Sequence, residues 1–451
     1  MKPLDLRRHQ NIIAFKDDVN TASGSTDAIT AFHAYNLEVA EVSSEAFAMM
    51  IPVPVTTGAI PEKKPAVSMD DSEALKALED WDQEIATDVK NGALKFGIRA
   101  LTININQICN LKCAYCAAGG DGSYGEPTNQ ISVEKTLPQL KFFLAQLKPN
   151  QKFSITFVGG EPLLHPQAIS AVYHYVVGES KIKQITPSFS IVTNGTLLKD
   201  KTLEIIRSMK LHITISIDGD KKYNDISRPS KDGRSSTDMT VLGIKNILSD
   251  RGSVESIGLS AVCSLQNPHM FESYQFLKQF NPDWMEFNFA YSEPSKSLQT
   301  TYITEMNLIA ADAWKNHGEA GLRQIKQFDH YFKLLDSQQR IENHCGAGKT
   351  YLMMDAKNRL YTCPWVVGEK DEVVGVGEQL DHDKLSKYSK SLIELNNCQS
   401  CWARHLCGGG CMYIHRAHTG DKHKKDDLFC ERTRSLILTT IMYYKLSRTN
   451  Q

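Results

Sequence analysis

Residues 100–116 read "ALTININQICNLKCAYC". The first seven form an apolar strand, and the loop after it carries Cys109, Cys113 and Cys116. Three thiols this close could belong to a zinc knuckle, a disulfide staple, a redox dithiol or an iron-sulfur site. Downstream, the same rhythm of apolar strand, loop and amphipathic helix repeats. Further strands are drawn at 153–158, 188–193, 212–217, 256–262 and 284–291, with helical stretches such as "VEKTLPQLKFFLAQL", "KTLEIIRSM" and "TVLGIKNIL" between them. Crossovers of a dozen residues or more imply a parallel sheet, either doubly wound or a full or partial barrel. Six strand-helix units favour an incomplete barrel, an α/β fold of (β/α)6 type. The cysteine loop follows the first strand, "GGEP" (159–162) the second, "NG" (194–195) the third and "DG" (218–219) the fourth. All four therefore fall at strand C-terminal ends, where parallel α/β proteins build their active sites.

The 451 residues exceed one ordinary domain, and 51 basic against 52 acidic side chains give no electrostatic case for nucleic acid or a membrane surface. The N-terminus lacks the apolar core of a signal peptide, and no run of about 18 apolar residues occurs. A cytoplasmic location is expected. Ten of the eleven cysteines lie in two groups, and in a reducing compartment such groups point to metal or catalysis before disulfides. Cys263 stands alone on a strand and reads as core packing.

Residues 1–95 hold no cysteine and contain the Pro-rich connector "IPVPVTTGAIPEKKPAVS" at 51–68. Before it, residues 31–50 read as one or two short strands leading into a small helix. After it, Leu75, Leu78, Trp81, Ile85 and Val89 recur at helical spacing behind a cap at Asp70 or Asp71. Three successive domains are expected: a small α+β module at 1–95, the barrel at 96–310, and a cysteine-rich domain at 311–451.

A structural zinc takes four tetrahedral protein ligands, whereas the first group supplies three and no histidine follows within the next forty residues. A distant fourth ligand, or a purely structural group of cysteines, stays possible on these residues. Three thiolates on a 4Fe-4S cluster instead leave one iron open to another ligand.

With GGEP in register, the CX3CX2C loop resembles that of the radical S-adenosylmethionine (SAM) superfamily over about residues 97–310. The resemblance implies that the methionine part of SAM chelates the open iron, and that electron transfer from the cluster yields a 5'-deoxyadenosyl radical that abstracts hydrogen from substrate. It assigns Tyr115 to packing on adenine, and Gly159, Gly160 and Glu161 to the methionine amino group. Ser216 and Asp218 fall at the ribose edge, and Arg228 at the cofactor carboxylate, a task suited to a guanidinium fork. Asn194 is either a further contact or one half of a turn.

Seven more cysteines follow: Cys345, Cys363, Cys398, Cys401, Cys407, Cys411 and Cys430, with Gly408, Gly409 and Gly410 among them. A Cys-x2-Cys pair alone would also suit a zinc ribbon. The full pattern resembles the SPASM extension of radical SAM enzymes. It implies one auxiliary 4Fe-4S cluster on Cys398, Cys401, Cys407 and Cys430, and a second on Cys345, Cys363 and Cys411 that lacks an evident fourth ligand. Asn358 replaces a glycine common in that family, and asparagine tolerates the left-handed conformation. Pro364 stands where sulfatase-maturating relatives carry an aspartate base, which counts against that activity.

By resemblance the expected activity is oxidative crosslinking of a ribosomally made precursor peptide, such as a cysteine thioether. The N-terminal module would add the peptide's leader to a sheet edge. Flavodoxin or ferredoxin would supply electrons, and neither nucleic acid nor membrane is an expected partner. Two alternatives are oxidation of a sulfatase cysteine or serine to formylglycine, and an iron-sulfur electron carrier or redox sensor that never cleaves SAM.

Overall fold

The computed structural model describes residues 5–16, 29–55, 73–84, 90–116 and 130–449. The expected helix cap at Asp70 or Asp71, the helical positions Ile85 and Val89, and most of the Pro-rich connector lie outside them. The chain gathers into two compact units, one of Met1–Leu94, Met306–Cys345 and Lys390–Gln451, the other of Lys95–Glu305 and Gly346–Ser389. This division differs from three successive domains, and strand pairing is the cause. Strands are numbered along the chain: β6 (Lys90–Gly92) pairs in parallel with β13 (Gln339–Ile341), tying the N-terminal residues to the C-terminal ones. In the second unit, residues 351–354 pair in parallel with residues 100–103.

The first unit contains a five-stranded sheet of β1 (Leu6–His9), β2 (Ile12–Lys16), β3 (Ile29–His33), β4 (Glu38–Val42) and β5 (Ile51–Pro52), ordered β4-β3-β2-β1-β5. β3, β4 and the helix Ser44–Met49 answer to the strands and helix expected at 31–50; β1 and β2 were not foreseen. Ser43 caps that helix, its hydroxyl accepting from the Ala46 N–H at 3.1 Å. One face of the sheet, with Ile12, Ala14, Ile29 and Ala31, packs on Phe47, Met50 and Leu78 of the two flanking helical segments. A helix at Asp427–Thr449 closes the C-terminal part.

In the second unit, β7 (Ala100–Asn104), β8 (Lys152–Val158), β9 (Thr186–Thr193), β10 (His212–Ser216), β11 (Ser256–Cys263) and β12 (Trp284–Phe289) run parallel in sequential order, the partial (β/α)6 barrel. Beyond β7 the sheet continues through β14 (Tyr351–Met354), β15 (Arg359–Tyr361), β16 (Val373–Val376) and β17 (Gln379–Leu380), antiparallel after β14.

A parallel strand covered on both faces reads as continuously apolar, but these alternate. Ile103, Ile155, Ile191, Ile213, Leu259 and Phe287 are buried, each such side chain contributing about 1.5–3 kcal/mol. Cys263 joins that apolar face, fully buried with Leu259 and Ala261. The opposite face is polar. Thr102 stands opposite Thr156 and Thr156 opposite Ser190, while Ser216, Ser260 and Glu286 form one row across β10, β11 and β12. No described helix is long and apolar enough to cross a membrane.

Candidate active site

The loop with Cys109, Cys113 and Cys116 leaves β7 and is pinned to a distant segment. Lys112 donates its N–H to Pro229 O at 2.8 Å, Ala114 to Ser227 O at 2.9 Å, and Lys231 to Asn110 O at 3.0 Å. Leu111 and Ser230 form the bridge between them. "ISRP" therefore runs beside "CNLKCAYC", which delivers Arg228 to the cysteines. Its guanidinium donates to the Tyr115 hydroxyl at 2.6 Å, and that hydroxyl donates to Asp218 at 2.8 Å. Asp218 is fully buried at the end of β10, and its carboxylate also accepts the Val262 N–H at 3.0 Å. Burial raises the Asp218 carboxyl and the Tyr115 phenol from their ordinary ranges. Burial opposes the charge of Arg228, but Cys113, Tyr115 and Asp218 outweigh it and keep the guanidinium charged.

GGEP reaches the same loop from the other side. Glu161 donates its N–H to Ile108 O at 2.9 Å, and Gly160 to Asn106 O at 3.1 Å. A Cβ on Gly160 would collide with the backbone of Ile108 and Cys109, so this approach requires glycine. The Glu161 carboxylate is buried and accepts from the Thr193 hydroxyl at 2.6 Å, the Asn194 N–H at 2.7 Å and the Leu163 N–H at 2.9 Å. It thus ties the second strand end to the third.

Asn194 is both a turn residue and a neighbour of the cysteines. Its amide oxygen accepts the Thr196 N–H at 3.0 Å, and its amide nitrogen donates to Asn110 Oδ1 at 2.8 Å and lies 3.8 Å from Cys109 Sγ. Among the described residues, Ser216 has no side-chain hydrogen bond; its row continues to Ser260 and Glu286, 3.4 Å apart.

Cys109 is half-buried, Cys113 buried and Cys116 exposed. Burial pushes the Cys109 thiol up to about 12 and Cys113 to about 11. Both stay protonated at neutral pH until a cationic centre binds them, and coordination to iron deprotonates a thiol outright. The Leu111 N–H already points at Cys109 Sγ at 3.3 Å, the kind of donor to sulfur that tunes an iron-sulfur cluster. These residues fit a cluster held by three thiolates. Among the described residues, no group of three or more His, Cys, Asp and Glu side chains is gathered on the position of one metal ion.

In the other unit, Cys398, Cys401, Cys407 and Cys430 line one cavity of about 170 Å³ together with Lys425 and Arg434. This is the set expected to hold an auxiliary cluster. Burial raises Cys407 and Cys398, the latter to about 11, and pushes Cys430 to about 12. Gly408, Gly409 and Gly410 all have positive φ, at 69°, 89° and 81°, and backbone or side chains fill the space a Cβ would need. Of the remaining set, Cys345 follows β13 and is exposed, Cys411 immediately precedes the helix Met412–Thr419, and Cys363 is buried after β15. Cys345 and Cys411 belong to the first unit and Cys363 to the second. Asn358 adopts φ 61°, the left-handed turn expected of it, with its amide nitrogen 2.9 Å from Thr136 Oγ1.

Several residues of the site carry no motif. Asn224 accepts the Asp218 N–H at 2.9 Å, and Asn267 donates to Asp218 O at 2.5 Å, so both fix the fourth strand end. Tyr291, just past β12, packs against Trp365 with ring centroids 4.3 Å apart, and Trp365 is 41% exposed. Burial and the neighbouring Cys116 raise the Tyr291 phenol. Only the fold brings these together.

Residues 103–258 match the model of the Radical SAM superfamily. A serine-type anaerobic sulfatase-maturating enzyme of Klebsiella aerogenes is 24% identical over 326 residues, 68% of this chain and 78% of that protein. The subtilosin biosynthesis protein AlbA of Bacillus subtilis is 29% identical over 270 residues, 58% of this chain and 54% of that protein. Among solved structures, anSMEcpe with bound AdoMet superposes with TM-score 0.63 at 18% identity, covering 78% of this chain and 95% of its own. Streptococcus suis SuiB bound to precursor peptide SuiA reaches TM-score 0.50 at 14% identity, covering 94% of this chain and 99% of its own. The chain thus carries a radical SAM domain, with relatives among the SPASM-type maturases that modify peptides and proteins.

Proposed function

We propose that this protein oxidatively crosslinks a ribosomally made precursor peptide, a cysteine thioether being the bond that fits its resemblance to thioether-forming maturases. The observation that carries the reading is the convergence of Cys109, Cys113 and Cys116 with Arg228, Tyr115, Asp218 and the GGEP backbone at the C-terminal end of the parallel strands. When bound, SAM on the 4Fe-4S cluster supplies hydrogen-abstracting radical chemistry. The chain's own residues position it: Arg228 receives the cofactor carboxylate, the backbone of Gly159, Gly160 and Glu161 the amino group, Ser216 and Asp218 the ribose edge, and Tyr115 the adenine. Two auxiliary 4Fe-4S clusters, on Cys398, Cys401, Cys407 and Cys430 and on Cys345, Cys363 and Cys411, complete the cofactors. Flavodoxin or ferredoxin is the reductant.

Support for a peptide substrate comes from the N-terminal sheet. Among the described residues its order ends on β4 and on the two-residue β5, strand edges of the kind to which an extended leader can add. The SuiB likeness, in a protein solved with a precursor peptide, spans that module as well. Formylglycine formation is the second reading, favoured by the sulfatase-maturating relative; Pro364 in place of the aspartate base weighs against it.

The test is co-expression with candidate precursor peptides, taken from any short open reading frame encoded beside the gene, followed by fragmentation mass spectrometry. A peptide that loses two hydrogens, resists thiol alkylation and does not react with a carbonyl reagent supports crosslinking. An unmodified peptide, or a new carbonyl, overturns it.

A further inference from the structure

The six parallel strands of the barrel contain a single carboxylate, Glu286 of β12. It stands on their polar face, in the row Ser216–Ser260–Glu286, and is half-buried. The Ser260 hydroxyl donates to it at 3.4 Å and accepts from the Asn288 amide at 3.3 Å. Among the described residues that is its one hydrogen bond, and it has no ion pair. The one lysine or arginine in the six strands, Lys152, starts β8 at the end away from the cysteine loop. Taking a carboxylate partly out of water without a cationic partner is unfavourable, so a cation brought to this position would be held.

The neighbouring rows define the shape of that cation. Two residues towards the strand C-terminus, Asn288 is exposed opposite Val262, whose N–H donates to Asp218 at the mouth of the barrel. Two residues the other way, about 7 Å along the strand, Trp284 stands opposite Gly258, and a Cβ on Gly258 would collide with its indole. The indole therefore lies across β11 beneath the Glu286 row. A group entering from the mouth meets a carboxylate one layer down and an aromatic ring below it. A long aliphatic stem that ends in a positive charge suits both, since the charge pairs with the carboxylate and is attracted to an indole face.

We propose that Glu286 is a specificity-determining residue that draws a lysine or arginine side chain of the peptide into the barrel. The inference rests on the reading of this site as one that acts on a peptide, and it names the class of residue presented there. Ser216, assigned above to the ribose edge, is two strands away in the same row, about 10 Å. A cation on Glu286 therefore holds its own methylenes and the adjoining peptide backbone beside the cofactor site. An acidic residue is repelled, and a neutral one forfeits a charge-assisted bond about twice as strong as a neutral bond.

The test measures binding of four probe peptides, acetyl-Gly-X-Gly-amide with X as Lys, Arg, Gln or Glu, to the anaerobically reconstituted full chain by saturation-transfer difference NMR. The wild type should bind the Lys and Arg probes at least about tenfold more tightly than the Gln probe, the scale of a hydrogen bond to a charged group. Glu286→Gln should remove that preference, and Glu286→Lys should reverse it in favour of the Glu probe, with iron content and thermal unfolding confirming that both variants fold. A wild type without preference, or a preference unchanged in both variants, overturns the proposal. A tenfold loss of SAM affinity in Glu286→Lys with unchanged probe preference would place the carboxylate on the cofactor and overturns it too. Failure of the iron-loaded wild type to release 5'-deoxyadenosine from SAM would instead overturn the radical reading, while the binding data still decide the role of Glu286.

Discussion

Gly160→Ala and Gly178→Ala should have opposite signs, for reasons visible in the structure. Neither glycine has a left-handed φ, so backbone conformation alone does not forbid alanine at either. Gly178 lies within the helix Pro166–Lys183, and a Cβ there meets nothing within 4 Å. Alanine at 178 should therefore stabilise by about 0.5–1 kcal/mol, the helix-propensity difference. At Gly160 a Cβ would lie 2.6 Å from Cys109 N and closer still to the carbonyl of Ile108. A backbone collision cannot be relieved by a change of rotamer, so the strain falls toward the upper end of about 1–3 kcal/mol. Restricting the unfolded chain returns about 0.4–1 kcal/mol, for a net loss of roughly 2 kcal/mol. On the scale of domains of 150–250 residues this lowers Tm by about 4–8 °C. The strain is released by moving Cys109, so the variant should also lose the iron of the first cluster while the auxiliary iron stays. The assay is thermal unfolding and iron content of the anaerobically purified wild type and both variants. Gly160→Ala with wild-type Tm and full iron would refute the claim that GGEP holds the cysteine loop by close backbone approach.

Tyr115→Phe keeps the ring but removes the hydroxyl between Arg228 and Asp218; losing hydrogen bonds to charged groups costs about 1.5–3 kcal/mol. SAM affinity measured by calorimetry should fall at least tenfold with iron loading unchanged. Asn358→Ala and Asn358→Gly both lose the bond to Thr136, but alanine keeps a Cβ at φ 61° where glycine has none, so denaturant unfolding should show a larger loss for Asn358→Ala, by about 1 kcal/mol. Burial lowers the His415 imidazole to about 4, below its ordinary 6.5. The unfolded chain therefore binds a proton that the folded chain does not, and stability falls as pH drops from about 6.5 towards 4, by up to about 1.4 kcal/mol per pH unit. His415→Gln should flatten that part of the urea stability profile.

The barrel was legible because its strands are runs of ordinary length in which apolar and polar residues alternate and its helices are amphipathic: the strands expected at 153–158 and 212–217 fall on β8 and β10. The cysteine loop and GGEP were legible because each is short and local. β1 and β2 escaped because "LRRH" is charged and "IIAFK" short, and their pairing is set by β3 and by packing on Phe47 and Leu78. Asn224, Asn267, Tyr291 and Trp365 escaped for another reason. Asn267 acts on Asp218 and Trp365 on Tyr291, partners distant in sequence that no spacing rule encodes, while Asn224 acts on Asp218 only six residues away but through a side chain that matches no motif. The grouping of residues 346–389 with the barrel likewise depends on β14 finding β7.

The central claim is that Cys109, Cys113 and Cys116 hold a centre that cleaves SAM for work on a peptide. It is tested most directly by incubating the reconstituted, reduced protein with SAM under anaerobic conditions and quantifying 5'-deoxyadenosine by liquid chromatography. The wild type should release it, and Cys113→Ala, with its auxiliary iron intact, should release none. Equal release from both proteins, or none from a fully loaded wild type, would contradict the account.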